Sequence, residues 1–412
     1  MTFRGAVISV GGSPQPIAVS LNEAKPAYVL FLVSEDSRPE VETRILSKLN
    51  YTPQYNCAMT PNPGDVAICY ETVRQKLPGW LAERGLQPEQ VYVDITGGTK
   101  PMSAGLAMAS AERLTHISYV TGKERDKEGL GVVISGTEYV MFTSNPWDKL
   151  AARERDRATW LFRSNYAEGA AEQLRQAAEK CSPELQQELR TLAQLASLFA
   201  DVDRFQFKDL KPRYEDCRET LHLLFGHRSN LELFGKIEQA AAHWSRLQGE
   251  YYSNGTKILA TLRELLANAQ RRAAQGRYDD AIARLYRAAE LFAQGKLHEA
   301  FRAKLGKVQH DQVPQGQLDD WVKRFGEGQE GAYELGVRDA FEALALSPDP
   351  GHREIAGRYG AISDHLQKRN NSILAHGLQA CTEQAFTGFR AALLELVGLH
   401  EEEIPRWPEI DF

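Results

Sequence analysis

Residues 91–105 read VYVDITGGTKPMSAG, and three kinds of local structure meet in them. Val91-Tyr92-Val93-Asp94-Ile95 is a short, almost wholly apolar run of the kind that forms a strand covered on both faces. Thr96-Gly97-Gly98 follows as a turn, where two glycines let the backbone bend tightly and approach a ligand with no Cβ in the way. Pro101 then suits the first turn of a helix, where a missing N–H costs nothing. A strand, a glycine loop and a helix in this order form the repeating unit of a doubly wound sheet. The exposed N–H groups and the helix dipole at such a junction favour an anion. Thr96, Thr99 and Ser103 add hydroxyl donors, and Lys100 adds positive charge. GxxxxGK[ST] is absent and no GxGxxG follows a strand, which argues against a Walker loop and against ordinary NAD or FAD binding. A plain βα turn capped by Thr99 would use the same residues.

The flanking sequence repeats this pattern. Ala6 to Val10 ends in Gly11-Gly12, Tyr28 to Val33 ends at Ser34, and His116 to Val120 ends in Thr121-Gly122. Helix-like stretches, Val41 to Leu49 and Met102 to Leu114, lie between these runs. The expectation for residues 1–146 is therefore a Rossmann-like parallel sheet with helices on both faces. Ligands of such sheets sit at the carboxyl ends of strands where the winding reverses. The loop Gly11-Gly12-Ser13-Pro14-Gln15 after the first strand is thus expected to share one pocket with the 96–103 loop. GVVISGTEYVMF, residues 131–142, reads as a hairpin about Ser135-Gly136, and Thr143 to Pro146 as a linker.

From Trp147 onward the pattern is helical and no strand is evident. Phe386, Phe389, Leu393, Leu396 and Val397 form one apolar stripe, as do Ile282, Leu285, Ala289 and Phe292. Residues around Gly276 to Leu291 look like one helix of a tetratricopeptide repeat, but no second copy follows at that period. The stretch Lys368-Arg369-Asn370-Asn371-Ser372-Ile373-Leu374-Ala375-His376-Gly377 is different. Its stripe is Ile362, Leu366, Arg369, Ile373 and His376, with polar groups where apolar ones are expected. Arg369 and His376 are seven residues apart, which puts both on one face of a helix expected to end at Gly377. A histidine in the last turn is favoured as imidazolium by the dipole, which suits a group that gives and accepts protons near neutral pH. With an arginine to neutralise phosphoryl charge, and Asn370 to orient the phosphate or the histidine, metal-free RNA cleavage is the chemistry that fits. A surface arginine and a core histidine at the same spacing remain the alternative for an isolated match. Arg284, Arg287 and Glu290 read as a salt-bridged helix face.

The bulk numbers narrow the classes. A chain of 412 residues exceeds one ordinary core, so two or three domains are expected. Lys and Arg total 49 against 55 Asp and Glu, a net charge of -6, so any nucleic acid must be met by local patches rather than a basic coat. The five cysteines are scattered and no pair has CxxC spacing, so neither a disulfide framework nor a zinc site is expected. HExxH, HxH, EF-hand and GxSxG patterns are absent. With neither a signal peptide nor an apolar run approaching about 18 residues, the chain reads as soluble and cytoplasmic, with no membrane partner. Glu401-Glu402-Glu403 reads as solvated tail.

Two resemblances follow from these residues. DITGGTKPM, residues 94–102, resembles the signature of the CARF (CRISPR-associated Rossmann fold) domain, and RNNSILAH, residues 369–376, resembles the R-polar-x-H motif of HEPN nucleases. CARF followed by HEPN is the layout of the ancillary ribonucleases of type III CRISPR systems. The resemblance implies a homodimer with a CARF-like domain over 1–146, a helical connecting region over 147–265, and a HEPN-like ribonuclease domain over 266–412. It implies a cyclic oligoadenylate activator contacted by Gly11, Gly12, Ser13, Gln15, Thr96, Gly97, Gly98, Thr99, Lys100, Met102 and Ser103. An even ring fits a twofold pocket, with cyclic tetra-adenylate favoured over cyclic hexa-adenylate. It further implies Arg369, Asn370 and His376 as catalytic residues acting on single-stranded RNA without metal or cofactor, leaving a 2',3'-cyclic phosphate. The rival readings are a nucleotide-sensing regulator without catalysis and an N-terminal pocket that itself cleaves the cyclic ligand, using Ser13, Thr99 and Lys100.

Overall fold

The computed structural model describes residues 3–412 apart from 112, 115, 125–135, 144, 145, 227–229, 254–256, 305, 371, 372, 375 and 376. The described chain forms two compact units, residues 1–155 with 174–190, and residues 156–173 with 191–412.

The first unit is built on β1 (Gly5–Ser9), α1 (Pro14–Ala24), β2 (Tyr28–Val33), a short turn α2 (Arg38–Glu40), β3 (Gln54–Met59), α3 (Val66–Arg84), β4 (Val91–Asp94), α4 (Lys100–Ala111), β5 (His116–Gly122) and β6 (Glu138–Phe142). The six strands stand in the order β3-β2-β1-β4-β5-β6. The first four contacts are parallel and β6 is antiparallel to β5. Successive side chains of a strand point to opposite faces, and the two cores follow that alternation. Ala6, Ile8, Val29 and Phe31 pack with Ile17 and Leu21 of α1 on one face. Val7, Leu30, Leu32 and Val93 pack with Leu77, Trp80 and Leu106 of α3 and α4 on the other. The expected doubly wound layers are present.

Two details differ from expectation. β3 was not expected, because QYNCAM is an edge strand of mixed polarity with no apolar run to mark it. Residues 41–48 form a π turn (Val41–Ile45) and a 3-10 turn (Leu46–Lys48) in place of an α-helix. Thr43 Oγ1 donates to the Pro39 carbonyl at 2.8 Å and Ser47 Oγ to the Thr43 carbonyl at 3.0 Å, the back-bonding that loosens a helical ladder. β6 pairs antiparallel with β5, and the first arm of the expected hairpin, residues 131–135, lies outside the described residues.

α5 (Pro146–Arg163), α6 (Ala167–Ala178) and α7 (Pro183–Asp203) are divided between the units. The second unit continues with α8 (Leu210–Phe225), α9 (Leu231–Tyr251), α10 (Leu259–Ala274), α11 (Tyr278–Phe301), α12 (Leu318–Phe325), α13 (Val337–Leu344), α14 (Pro350–Gly357), α15 (Gly360–Asn370) and α16 (Glu383–Val397). Gly276, at φ +73°, makes the turn between α10 and α11, a backbone conformation that a Cβ disfavours. Its main core joins Leu266, Leu285, Leu297, Trp321, Phe341, Phe389 and Leu393. A two-stranded antiparallel pair, β7 (Lys307–Gln309) with β8 (Ala332–Glu334), corrects the expectation of helices alone. Strands of three residues are too short for any periodicity to reveal. The acidic run at 401–403 is also more than tail: Glu401 accepts from Arg390 at 2.6 and 3.0 Å, and Glu403 pairs with Arg263.

A charged cluster lies inside this unit. Glu264, 1% exposed, has His243 Nε2 at 2.9 Å and accepts from Arg271 at 2.5 Å, and Arg271 also donates to Asp203 at 2.9 Å. Burial pushes the Glu264 carboxyl up, but Arg271 and His243 outweigh it and hold the group below the ordinary carboxylate range. A carboxyl depressed on folding stabilises fully above its unfolded value, and that contribution is lost as pH falls through the folded value. Acidification is therefore expected to lower the melting temperature of the wild type more than that of Glu264→Gln. Glu264→Ala, which leaves Arg271 with Asp203 alone and one buried donor unmet, is expected to cost about 1–3 kcal/mol in a denaturant titration.

Candidate functional site

The strand order runs β1-β2-β3 one way and β4-β5 the other, so the winding reverses between β1 and β4. That crevice, outside the carboxyl ends of the strands, is where doubly wound sheets bind ligands. The loops expected to share a pocket both emerge there. They are in contact: a Cβ on Gly11 would lie 2.7 Å from the Gly98 nitrogen and 2.9 Å from its Cα. Gly98 sits at φ +84°, a conformation open to glycine at no steric cost. Ser9 Oγ at 2.5 Å and Ser103 Oγ at 2.9 Å both donate to the Gly97 carbonyl, tying the loop to β1 and α4.

Beneath the loop lies Asp94, fully buried. Its carboxylate accepts from the Thr96 N–H at 2.9 Å and from the Ser118 hydroxyl at 3.2 Å. Burial pushes this carboxyl up, while hydrogen bonds from Thr96, Ser20 and Ser118 act against that push. The Thr96 hydroxyl in turn accepts from the Val120 N–H at 2.7 Å. Sequence alone marked Asp94 only as part of a strand; a lone carboxylate ending an apolar run was the signal for a loop anchor.

The expected contact residues thus divide by role. Gly12, Ser13, Gln15, Thr99 and Lys100 are exposed. Ser13 precedes α1 with extended backbone and makes no side-chain cap bond to it. Thr99 caps α4, its Oγ1 accepting from the Met102 N–H at 3.3 Å and donating to the Pro63 carbonyl. Gln15 Oε1 accepts from Lys48 Nζ at 2.9 Å, a partner the sequence did not suggest. Met102 departs from expectation: its side chain is 1% exposed and packs in the core with Val93 and Leu106, supporting the loop from below. Thr96 and Ser103 hold the loop's shape, which leaves the exposed hydroxyl groups and Lys100 at the mouth of an anion-favouring crevice.

In the second unit, Ile362 and Leu366 of α15 are buried in the core, and Arg369 continues their stripe. Its guanidinium carbon lies 4.3 Å from the ring centroid of Tyr286 on α11. The helix does not reach Gly377. It ends at Asn370, and Ile373 and Leu374 lie in a turn, 60% and 49% exposed. The expected helix end at Gly377 is therefore corrected, while the expected placing of Arg369 and His376 on one face falls outside the described residues. The run Asn370-Asn371-Ser372 consists of short polar side chains that compete with the helix for backbone hydrogen bonds. His376 and Asn371 lie outside the described residues, as does the side chain of Asn370. His365, on the same helix, stacks on Phe389 with ring centroids 5.4 Å apart, and burial with the neighbouring Lys368 lowers its pKa. Neither Tyr286 nor His365 stood out in the sequence, since each sits in a helix as an ordinary half-buried aromatic. On α11, Arg287 pairs with Glu290 at 2.6 Å, as expected of a helix face, while Arg284 turns inward to Asn268 and Asp280.

Among the described residues no helix is long and apolar enough to cross a membrane, and no group of three or more His, Cys, Asp or Glu is arranged to hold a metal ion.

Residues 253–400 match the family model of the Csm6 HEPN domain. Csm6 from Enterococcus italicus, solved bound to cyclic hexa-2'-fluoro-hexa-dAMP, superposes on 98% of this chain and 97% of its own, with 12% identity and a TM-score of 0.54. Can2 from Sulfobacillus thermosulfidooxidans, in complex with cyclic tetra-adenylate, covers 49% of this chain and 68% of its own at 12% identity, with a TM-score of only 0.25. No curated protein matches the chain. An N-terminal parallel sheet followed by helices, with a segment matching the Csm6 HEPN domain towards the C-terminus, gives this chain the fold of Csm6 and agrees with the CARF–HEPN resemblance of its two motifs.

Proposed function

We propose that the chain is a cyclic-oligoadenylate-activated endoribonuclease that cleaves single-stranded RNA in the cytoplasm as part of type III CRISPR antiviral defence. The observation that carries this reading is that Arg369 to His376 falls within the segment that matches the Csm6 HEPN domain. The meeting of Gly11 with Gly98 at the reversal of the sheet supports the sensing half, as does the ligand in the Csm6 structure of the same fold.

In this mechanism residues 1–146 bind the activator, residues 147–265 connect, and residues 266–412 cleave. The N–H groups of the two glycine loops and Lys100 hold the phosphates of the ring, with Ser13, Gln15 and Thr99 at its edge. Two chains pair as a homodimer so that one even ring spans both pockets. The ring shifts the helical domains towards the active arrangement only by binding that arrangement more tightly than the resting one. In the RNA site the 2'-oxygen attacks its own phosphorus and the 5'-oxygen leaves. His376 takes or supplies the proton, and Arg369 neutralises the charge that builds on the phosphoryl oxygens. Asn370 orients the phosphate or the histidine. The products are a 2',3'-cyclic phosphate and a 5'-hydroxyl, and no metal ion takes part.

The activator proposed is cyclic tetra-adenylate ahead of cyclic hexa-adenylate. Titrating the full chain with each ring and with linear tetra-adenylate, by calorimetry, tests this half of the mechanism. One ring bound per two chains, with the linear form much weaker, is the expected result. Binding of neither ring, or one ring per single chain, contradicts it.

A further inference from the structure

Arg369 occupies the last turn of α15, one residue before the helix ends. Helix ends fray, and an arginine side chain carries about 2 kcal/mol of rotamer entropy that must be lost for its donors to meet a phosphate in one geometry. At a helix end a seat on another, better-anchored element holds such a guanidinium in place. α11 supplies one. Tyr286 stands between Leu285 and the buried Ala288 and Ala289, half-buried against the main core of the unit, with its ring 4.3 Å from the guanidinium carbon of Arg369. α11 packs against α15, α13 and α16, so the ring is carried by the central helix of the bundle. A planar guanidinium over an aromatic face is held by the ring quadrupole, and it suits arginine better than lysine.

We propose that Tyr286 is a positioning residue for Arg369. Its ring restricts the guanidinium to the rotamers from which it can meet the scissile phosphate. This rests on the assignment of Arg369 to the cleavage site. The stack leaves the N–H edge of the guanidinium chemically unchanged, so Tyr286 sets where the charge stands and not how strong it is. The phenol oxygen is not required by this role; the ring face is.

The test is steady-state cleavage of a fluorescent single-stranded RNA, with whichever of cyclic tetra-adenylate and cyclic hexa-adenylate activates the wild type. Tyr286→Leu is expected to lower kcat roughly 5- to 30-fold with KM little changed. Tyr286→Phe, which keeps the ring, is expected to restore most of that loss. In an Arg369→Lys background, where the planar group is gone, Tyr286→Leu is expected to add little. Melting temperatures accompany each variant, and Tyr286→Met replaces the leucine variant if that one does not fold. Wild-type kcat in Tyr286→Leu alongside an inactive Arg369→Ala overturns the proposal. Equal losses in Tyr286→Leu and Tyr286→Phe also overturn it, because the ring face is then not what matters. Full cleavage by Arg369→Ala is a separate result, and it removes the assignment of Arg369 on which the proposal rests.

Discussion

Replacing His376 with alanine is expected to lower activator-dependent RNA cleavage by roughly 10²- to 10⁴-fold, the range a general acid or base contributes, while leaving the affinity for the cyclic activator unchanged. The separation is expected because His376 belongs to the HEPN-matching segment and the glycine loops belong to the N-terminal sheet. Arg369→Ala is expected to fall in the same direction by roughly 10²- to 10³-fold, as for loss of one donor to a developing oxyanion. Initial rates on a fluorescent RNA, paired with calorimetry for the activator, measure both halves. Unchanged cleavage by His376→Ala contradicts the catalytic assignment. A parallel loss of cleavage and activator binding shows instead that the residue supports the fold.

The second large effect is expected at Gly11. A Cβ there meets the backbone of Gly98 at 2.7 and 2.9 Å, and backbone cannot swing aside as a flexible side-chain tip can. Gly11→Val must therefore push the two loops apart at the reversal of the sheet. Overpacking of this kind costs about 1–3 kcal/mol, which, if it falls on the binding geometry, is roughly 5- to 150-fold in activator affinity. Cleavage at saturating activator should recover towards the wild-type rate, because the RNA site is untouched. Wild-type affinity in a folded Gly11→Val removes the crevice between β1 and β4 from the mechanism.

What could be read in advance depended on how local the signal was. β1, β2, β4 and β5 are short apolar runs ended by glycine, serine or threonine, and all four lie within a residue or two of where the sequence puts them. β3 escaped because an edge strand needs only partial burial, so QYNCAM carries no apolar run. The two glycine loops were placed together by topology alone, and Gly11 does meet Gly98. Met102 misled because a residue inside a loop signature can serve the core from below. At the other end, spacing put Arg369 and His376 on one helix, but the helix ends at Asn370, and no periodicity reports where short polar side chains outcompete the ladder. Tyr286 is far from Arg369 in sequence, so only tertiary packing could reveal the stack. The Glu264, Arg271 and Asp203 cluster was hidden for the same reason: the first two share α10 and look like a solvated face until α7 brings Asp203 against them.

The most direct test is cleavage of a fluorescent single-stranded RNA by the full chain in EDTA, with no ligand, with cyclic tetra-adenylate and with cyclic hexa-adenylate. Cleavage that appears only with one of the rings, persists in EDTA and leaves a 2',3'-cyclic phosphate is the predicted result. No cleavage with either ring, or cleavage that EDTA abolishes, contradicts it.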